Sequence, residues 1–192
     1  MAHGAINARL ASAAELTRQN AIFADIGTDH AYLPLFLLEE GRIEYAYCSD
    51  INEGPLASAE RNAKECGRED KMSFILTDGA TVLRDKGITD YAICGMGGST
   101  IISILAADMA VAKGAQRLLL QPMAGAAALR RWLVAQGWCI TREALVDDEP
   151  HFYEIICAER AEKYAAGASD AGEQCYSEVE YLVGPALLRD GH

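Results

Sequence analysis

The feature that most constrains the fold is an acidic, glycine-containing turn that follows a short apolar segment near the start of the chain. The segment Ala21–Ala24 has the composition of a buried strand, and it runs directly into Asp25-Ile26-Gly27-Thr28-Asp29-His30. A buried strand that ends in such a turn and then enters a helix is the first unit of a nucleotide-binding α/β fold. We therefore expect a parallel sheet with its ligand at the carboxyl ends of the strands.

The composition of this turn favours a cationic ligand over a dinucleotide. The turn has one glycine, Gly27, whereas the G-x-G-x-x-G turn that packs against a pyrophosphate has three. Ionisable side chains crowd it instead, and two of them, Asp25 and Asp29, are carboxylates. Carboxylates suit a ligand with an ammonium and a sulfonium, and S-adenosylmethionine has both. The turn thus indicates a methyltransferase and argues against a NAD-dependent oxidoreductase.

Acidic residues also end the next two predicted strands. The segment Tyr45–Asp50 ends 23 positions beyond Gly27, close to the spacing of about 20 residues at which an acid accepts hydrogen bonds from ribose hydroxyls. The segment Met72–Thr77 runs into Asp78-Gly79, where a carboxylate can accept from the exocyclic amine of adenine. Each aspartate alone is explained equally well as a turn or N-cap residue. The three together, each at the end of a successive strand, favour a cofactor site.

Length, cysteine pattern and charge exclude several other classes. The 192 residues suffice for one ordinary domain, no apolar run approaches the roughly 18 residues that span a bilayer, and no secretory signal opens the sequence. The six cysteines show neither a C-x-x-C pair nor metal-finger spacing, so we expect a reduced, cytoplasmic protein without metal. A net charge of −11 is unusual for a protein that binds nucleic-acid phosphates, although it does not describe any single face.

The order of the segments predicts the architecture. Apolar segments alternate with helical patterns for about 150 residues, which predicts βαβ units and a mainly parallel sheet. The last two segments, Cys139–Leu145 and Phe152–Ala158, are joined by a turn too short for a crossover helix, so they should pair antiparallel. We expect an α/β, seven-stranded, mostly parallel sheet with an antiparallel terminal hairpin. Residues 1–160 should form this domain, and residues 161–192 a linker and a short helix.

Several motifs occur together and in a fixed order. They are Asp25–Pro34, Ser49–Leu56, Gly95-Met96-Gly97-Gly98, Leu119–Pro122, Phe152–Ile156 and Gly184-Pro185. In this combination, over residues 6 to 190, the chain resembles the bacterial tRNA (adenine-N1)-methyltransferases that act on adenine 22. The resemblance implies a Rossmann-like class I methyltransferase fold, S-adenosylmethionine as cofactor and methyl donor, tRNA as partner, and N1 of an adenine as the acceptor.

The resemblance also implies which residues hold the cofactor. By position, Asp25, Gly27 and His30 would line its methionine end, Asp50 its ribose, and Asp78 with Gly79 its adenine. Four more residues complete the expected cofactor set: Thr28, Asp29, Ile51 and Gly95.

The turn Gly95-Met96-Gly97-Gly98 is the expected catalytic segment, because it stands where other adenine methyltransferases carry Asn-Pro-Pro-Tyr or Asp-Pro-Pro-Tyr. N1 of adenine already has a lone pair, so it needs orientation and desolvation more than a strong base. Glycines let the backbone approach an extruded base. We predict that Tyr32 stacks on this base, although it could equally be an ordinary packing tyrosine. Gln121, with Pro122 beside it, is predicted to reach the base edge.

The chain departs from the family pattern at two places. Met123 stands where an asparagine is common, which leaves no polar role for that position. Family members usually continue beyond the late Gly-Pro motif into a helical extension that helps to hold tRNA, and we expect residues 161–192 to contain only a short remnant of it. Two alternatives stay open: a methyltransferase of a small molecule, which suits the acidic charge, and a non-catalytic module that binds S-adenosylmethionine or RNA.

Overall fold

One seven-stranded sheet organises the chain. The computed structural model describes residues 6–80, 83–107, 114–160 and 176–191. The strand order is β3-β2-β1-β4-β5-β7-β6, with β1 to β5 parallel and β7 antiparallel to both of its neighbours. The strands are β1 (Ala21–Ile26), β2 (Ile43–Asp50), β3 (Met72–Leu76), β4 (Asp90–Met96), β5 (Arg117–Pro122), β6 (Trp138–Asp148) and β7 (His151–Arg160). The predicted α/β fold with its terminal hairpin is confirmed.

Helices cover both faces of this sheet. They are α1 (Ala8–Leu16), α2 (Tyr32–Glu39), α3 (Glu53–Glu65), α4 (Gly98–Ala107), α5 (Ala126–Ala135), α6 (Glu178–Val183) and α7 (Pro185–Asp190), with a 3-10 turn at Glu69–Lys71. Successive strand side chains point to opposite faces. Accordingly, Leu119 packs in the core under α1, α2 and α3, whereas Leu118 and Leu120 pack in the core under α4 and α5.

The C-terminal segment forms two short helices, whereas the sequence predicted one. Ser177 caps α6, since its side chain accepts from the N–H of Glu180 and the Glu180 carboxylate accepts from the N–H of Ser177. Gly184 then separates the helices with a φ of 113°, a backbone conformation that other residues rarely adopt. Helix α6 packs on α5, and α7 packs on β6. The predicted linker, residues 161–175, lies outside the described residues.

A buried ion network joins this segment to the sheet. The fully buried Arg130 donates to Glu143 at 2.7 Å and to Glu154 at 2.5 Å, and it also donates to the carbonyl of Tyr181 at 3.1 Å. The second carboxylate oxygen of Glu143 accepts from the N–H of Ala186 at 2.8 Å. Because a buried charge without its partner is costly, this network holds α6 and α7 in place.

Within residues 6–80, 83–107, 114–160 and 176–191, no helix is long and apolar enough to cross a membrane. Within the described part of the chain, no group of three or more His, Cys, Asp or Glu side chains is arranged to hold a metal ion. The five cysteines that it includes are free thiols.

Candidate active site

A cleft of about 920 Å³ opens at the carboxyl edge of the parallel strands. Its walls come from the ends of β1, β2 and β4, the residues after β3, and the start of α1. This volume lies within the range of small-molecule sites. The three aspartates that end successive strands, Asp25, Asp50 and Asp78, all line it, so the structure brings the predicted carboxylates to one cavity.

Most residues predicted for the site line this cleft. Those that do are Asp25, Gly27, Thr28, Asp29, His30, Tyr32, Asp50, Ile51, Asp78, Gly79, Gly95 and Met96. Four predicted residues are not among the lining residues: Gly97, Gly98, Gln121 and Pro122.

The turn after β1 is tied to the end of β2. The N–H groups of Gly27 and Thr28 both donate to the carbonyl of Ser49, at 2.8 and 2.9 Å. Gly27 has a φ of 74°, and a Cβ added there would lie 2.1 Å from the terminal methyl of Met96. A glycine is therefore needed here both for the turn and for the close approach of Met96.

Asp25 lies at the bottom of the cleft, nearly without exposure to solvent. The pKa of its carboxyl group is raised from 3.8 to about 6, mainly because burial disfavours the charged form. The hydroxyl of Thr28, which donates at 2.8 Å, partly offsets this rise, and the nearby charge of Asp50 adds to it. A buried carboxylate with one donor is poised to interact with a cationic group that enters the cleft.

Asp50 and Asp78 are positioned by backbone contacts. Asp50 accepts from the N–H of Asn52 at 2.9 Å, which fixes the orientation of its carboxylate at the end of β2. Its carbonyl accepts from the N–H of Thr77 at 2.9 Å. That bond places the following residues, Asp78 and Gly79, on the same wall of the cleft.

An unpaired polar atom supports the assignment of this half of the cleft to a polar cofactor. The hydroxyl of Ser49 is buried, lines the cleft and has no hydrogen-bond partner among the described residues. A bound ligand would supply the missing partner. S-adenosylmethionine offers an ammonium, ribose hydroxyls and an adenine amine. These groups fit the carboxylates, the Ser49 hydroxyl and the backbone of the turn at Gly27.

Tyr32 lies at the mouth of the cleft at the start of α2. Its ring is stacked with that of His30, with centroids 5.3 Å apart and 29° between the planes. The residue is 48% exposed, so its ring is only partly packed against the protein. Together the two rings form an aromatic surface beside the cofactor turn.

Another part of the cleft wall contains a bulge at the end of β4. The register between β4 and β5 shifts between Cys94 and Met96, and the intervening Gly95 has a φ of 76°. The N–H of Gly95 donates to the side-chain oxygen of Gln121 at 3.0 Å. The carbonyl of Met96 accepts from the N–H of Met123 at 2.8 Å. The bulge brings the backbone of Gly95 and Met96 to the cleft.

Gln121 lies behind this wall instead of facing the cleft. It is fully buried, and its side-chain nitrogen donates to the carbonyl of Pro122 at 3.1 Å. Its side-chain oxygen is shared between Gly95 and Arg9. The amide predicted to reach the base edge is therefore engaged in holding the cleft wall.

Gly98 has a packing role in this region. It begins α4, and its N–H donates to the carbonyl of Ala124 at 2.8 Å. A Cβ added to Gly98 would lie 2.7 Å from the carbonyl oxygen of Gly125. Any larger residue would push α4 away from the loop that follows β5.

Sequence reasoning missed Arg9, which the structure places in the cleft. Its Nη1 donates to the side-chain oxygen of Gln121 at 2.6 Å, and its guanidinium carbon lies 5.4 Å from the centre of the Tyr153 ring. In the sequence Arg9 is one basic residue of an amphipathic helix, which gives no local signal of a site.

A family profile described as Methyltransferase domain matches residues 6–156. The chain is 33% identical over 186 residues to the tRNA (adenine(22)-N(1))-methyltransferase of Bacillus subtilis (strain 168), which covers 96% of this chain and 76% of that protein.

Two solved structures are similar over most of the chain. Streptococcus pneumoniae Sp1610 in complex with S-adenosyl-L-methionine has a TM-score of 0.88 and 32% identity, covering 98% of this chain and 83% of that one. M. capricolum TrmK in complex with S-adenosyl-homocysteine has a TM-score of 0.80 and 28% identity, covering 92% and 74%. From this similarity in sequence and fold, the chain belongs to the bacterial tRNA (adenine(22)-N1)-methyltransferase family.

Proposed function

We propose that this protein transfers the methyl group of S-adenosylmethionine to N1 of an adenine in tRNA, the adenine at position 22. The observation that carries the proposal is the cleft itself, since the aspartates of three successive strand ends and the Gly95-Met96 bulge line one cavity. Membership of the family supports tRNA as the acceptor. The proposal places the protein in the cytoplasm, where tRNA is modified and used.

The acidic half of the cleft is the proposed cofactor site. Asp25 and the turn after it would bind the methionine end, Asp50 with Ile51 the ribose, and Asp78 with Gly79 the adenine. The fixed carboxylate of Asp50 supports the ribose assignment, because it needs no reorientation to accept hydroxyl hydrogen bonds. When bound, S-adenosylmethionine supplies a methyl group made electrophilic by the sulfonium.

The remaining part of the cleft is the proposed acceptor site. The Gly95-Met96 bulge and the stacked rings of Tyr32 and His30 both line the cleft. An extruded base can stack on an exposed aromatic ring while the backbone of the bulge sets the direction of N1. N1 attacks with its own lone pair, so alignment and exclusion of water are the main contributions of these residues.

Methyl transfer to defined tRNAs tests this proposal. The protein is incubated with methyl-labelled S-adenosylmethionine and unmodified bacterial tRNA transcripts, which are then digested to nucleosides and analysed by mass. We expect 1-methyladenosine, and we expect it to be lost from a transcript in which guanine replaces adenine 22. As a matched protein control, Asp50→Asn should weaken cofactor binding and product formation together.

Two results would contradict the proposal. Cofactor binding by calorimetry without methylation of any tRNA would favour a non-catalytic module. Labelling of a small molecule from a cell extract, with none in tRNA, would favour the small-molecule alternative.

A further inference from the structure

We propose that Arg9 binds a backbone phosphate next to the acceptor adenosine and so anchors tRNA in the acceptor half of the cleft. This inference rests on the proposed function and goes beyond it, because it assigns the phosphate contact to one residue of α1.

The described lining of the cleft contains four carboxylates and one arginine. The carboxylates of Asp25, Asp29, Asp50 and Asp78 line the half assigned to the cofactor. Arg9 is the only lysine or arginine among the described residues that line the cavity. Four carboxylates repel a polyanion, so entry of a nucleic acid requires a cation on the side from which it approaches.

The contacts of Arg9 place it on the acceptor side. A Cβ built on Gly95 would lie 3.4 Å from Nη1 of Arg9, so the guanidinium lies directly beside the bulge. The sulfur of Met123 lies 3.8 Å from the same nitrogen. A phosphate bound here would belong to the nucleotide whose base faces the bulge, or to its neighbour.

The guanidinium is held in place but retains donors. One nitrogen, Nη1, is bonded to Gln121 at 2.6 Å, and the group lies over the ring of Tyr153. Among the described residues, Nε and Nη2 of Arg9 have no hydrogen-bond partner. A fixed guanidinium with two available N–H-bearing nitrogens matches the bidentate geometry that arginine adopts with phosphate. Little side-chain entropy would be lost on binding.

The chemistry favours a phosphate over the base as the ligand of Arg9. Methyl transfer breaks the sulfur–methyl bond, forms the N1–methyl bond and moves one positive charge from the sulfonium to the adenine ring. A guanidinium against the ring would oppose that charge. When the guanidinium is paired with a phosphate, its charge is neutralised and it does not oppose the positive charge on the adenine.

The experiment compares Arg9→Gln and Arg9→Lys with Arg160→Gln as a matched control. Arg160 lies over the ring of Trp138, at the opposite end of the sheet, and its replacement changes the net charge by the same amount. For each protein, KM and kcat for tRNA are measured at several salt concentrations, and the Kd for S-adenosylmethionine is measured by calorimetry, which also reports on folding.

We expect Arg9→Gln to raise KM for tRNA roughly tenfold and to reduce the slope of log(kcat/KM) against log[salt] by roughly 0.7 to 1, the value for one lost phosphate contact. The Kd for the cofactor should stay within about twofold, since none of the side chains that Arg9 contacts, Gln121, Met123 and Tyr153, belongs to the predicted cofactor set. Arg9→Lys should keep most of the salt slope, and Arg160→Gln should match the wild type.

Three results would overturn the inference. An unchanged salt slope in Arg9→Gln, with the loss confined to kcat or to cofactor affinity, would mean that Arg9 acts only through Gln121. Equal behaviour of Arg9→Gln and Arg160→Gln would mean that Arg9 contributes only to net charge. If the wild-type protein methylates no tRNA, the proposed function fails first and the inference fails with it.

Discussion

The side-chain oxygen of Gln121 accepts a hydrogen bond from the backbone N–H of Gly95 at 3.0 Å. Gln121 itself is fully buried, whereas Gly95 is exposed and lines the cleft. The bond therefore fixes the bulge at the end of β4 from behind, on the side away from the cleft. The arrangement makes Gln121 a positioning residue for the wall that Gly95 and Met96 present to the acceptor.

Replacement of Gln121 by leucine should weaken this wall. The N–H of Gly95 and Nη1 of Arg9 would lose their shared acceptor, and the loss of such a hydrogen bond costs about 0.5–1.5 kcal/mol. We expect a loss of this size in the free energy of unfolding in urea, together with a lower kcat for tRNA methylation. As a control, Gln136→Leu at the end of α5 should change stability by less than about 0.5 kcal/mol. Wild-type stability and kcat in Gln121→Leu would show that the bond does not matter.

Alanine at Gly27 should affect function more than stability. Both Gly27 and Gly41 have a positive φ, 74° and 62°, but only at Gly27 would a new Cβ meet another group, the terminal methyl of Met96. That methyl can move, so Gly27→Ala and Gly41→Ala should each lose roughly 1 kcal/mol of stability from the backbone alone.

The two alanine variants should differ in activity. Gly27→Ala displaces Met96 from the cleft wall, so we expect a clear loss of kcat/KM, whereas Gly41→Ala should keep normal turnover. The double variant Gly27→Ala/Met96→Ala would remove the clash. Equal activity of Gly27→Ala and Gly41→Ala would contradict the placement of Met96.

The affinity for S-adenosylmethionine should depend on the protonation of Asp25. Its pKa is raised to about 6, first by burial, so its carboxyl group is mostly ionised at pH 7 and mostly neutral at pH 5. If only the ionised form binds the ammonium of the cofactor, the Kd should rise roughly tenfold as the pH falls from 7 to 5. Calorimetry across this range tests it, and Asp25→Asn should bind more weakly with a flat profile. A flat profile in the wild type would contradict the assignment.

The stability of the cofactor-free protein should decrease as the pH rises, whereas the affinity for the cofactor should increase. A carboxyl group whose pKa is higher in the folded state favours folding at low pH, and this contribution is lost as the pH rises from about 4 through about 6. Asp25→Asn removes the buried charge, so it should unfold at a higher temperature than the wild type at pH 8. The difference between the two proteins should shrink as the pH approaches 5.

The two adjacent arginines of α5 should differ strongly in their contribution to stability. Arg130 and Glu143 form a fully buried pair, and Arg130 also pairs with the partly exposed Glu154, whereas Arg131 pairs with Glu178 at the surface. Arg130→Met leaves the buried carboxylate of Glu143 without its arginine and should cost about 3–5 kcal/mol. Arg131→Met should cost less than about 1 kcal/mol. Urea unfolding measures both, and equal losses would contradict the role of the buried network.

The meeting of the three strand-end aspartates in one cleft could be predicted from the sequence because its signals are local. Asp25, Asp50 and Asp78 each follow an apolar strand directly, and parallel strands bring their carboxyl ends to one edge. Gly27 was also identified from the sequence, because it is the one glycine of the acidic turn after the first strand. Alternation of strands and helices likewise predicted the sheet, including the antiparallel hairpin.

The rest of the site depends on contacts between distant residues. Arg9 and Gln121 are 112 positions apart in the chain, and no local pattern indicates that one holds the other. The sequence predicted that Gly98 lets the backbone approach a base, whereas its packing neighbour, the carbonyl of Gly125, is set by the tertiary fold. The surroundings of Gly184 are also tertiary, since an added Cβ there would lie 2.9 Å from a carboxylate oxygen of Glu143 and 3.0 Å from a nitrogen of Arg130.

The most direct test of the account is to locate the methyl group within tRNA. Methylation of N1 blocks the pairing edge of adenine, so reverse transcription stops just before the modified nucleotide. We predict a stop at adenine 22 that requires both the protein and S-adenosylmethionine and that is absent when guanine replaces this adenine. Label incorporated into tRNA with no stop at position 22, or with a stop elsewhere, would contradict the account.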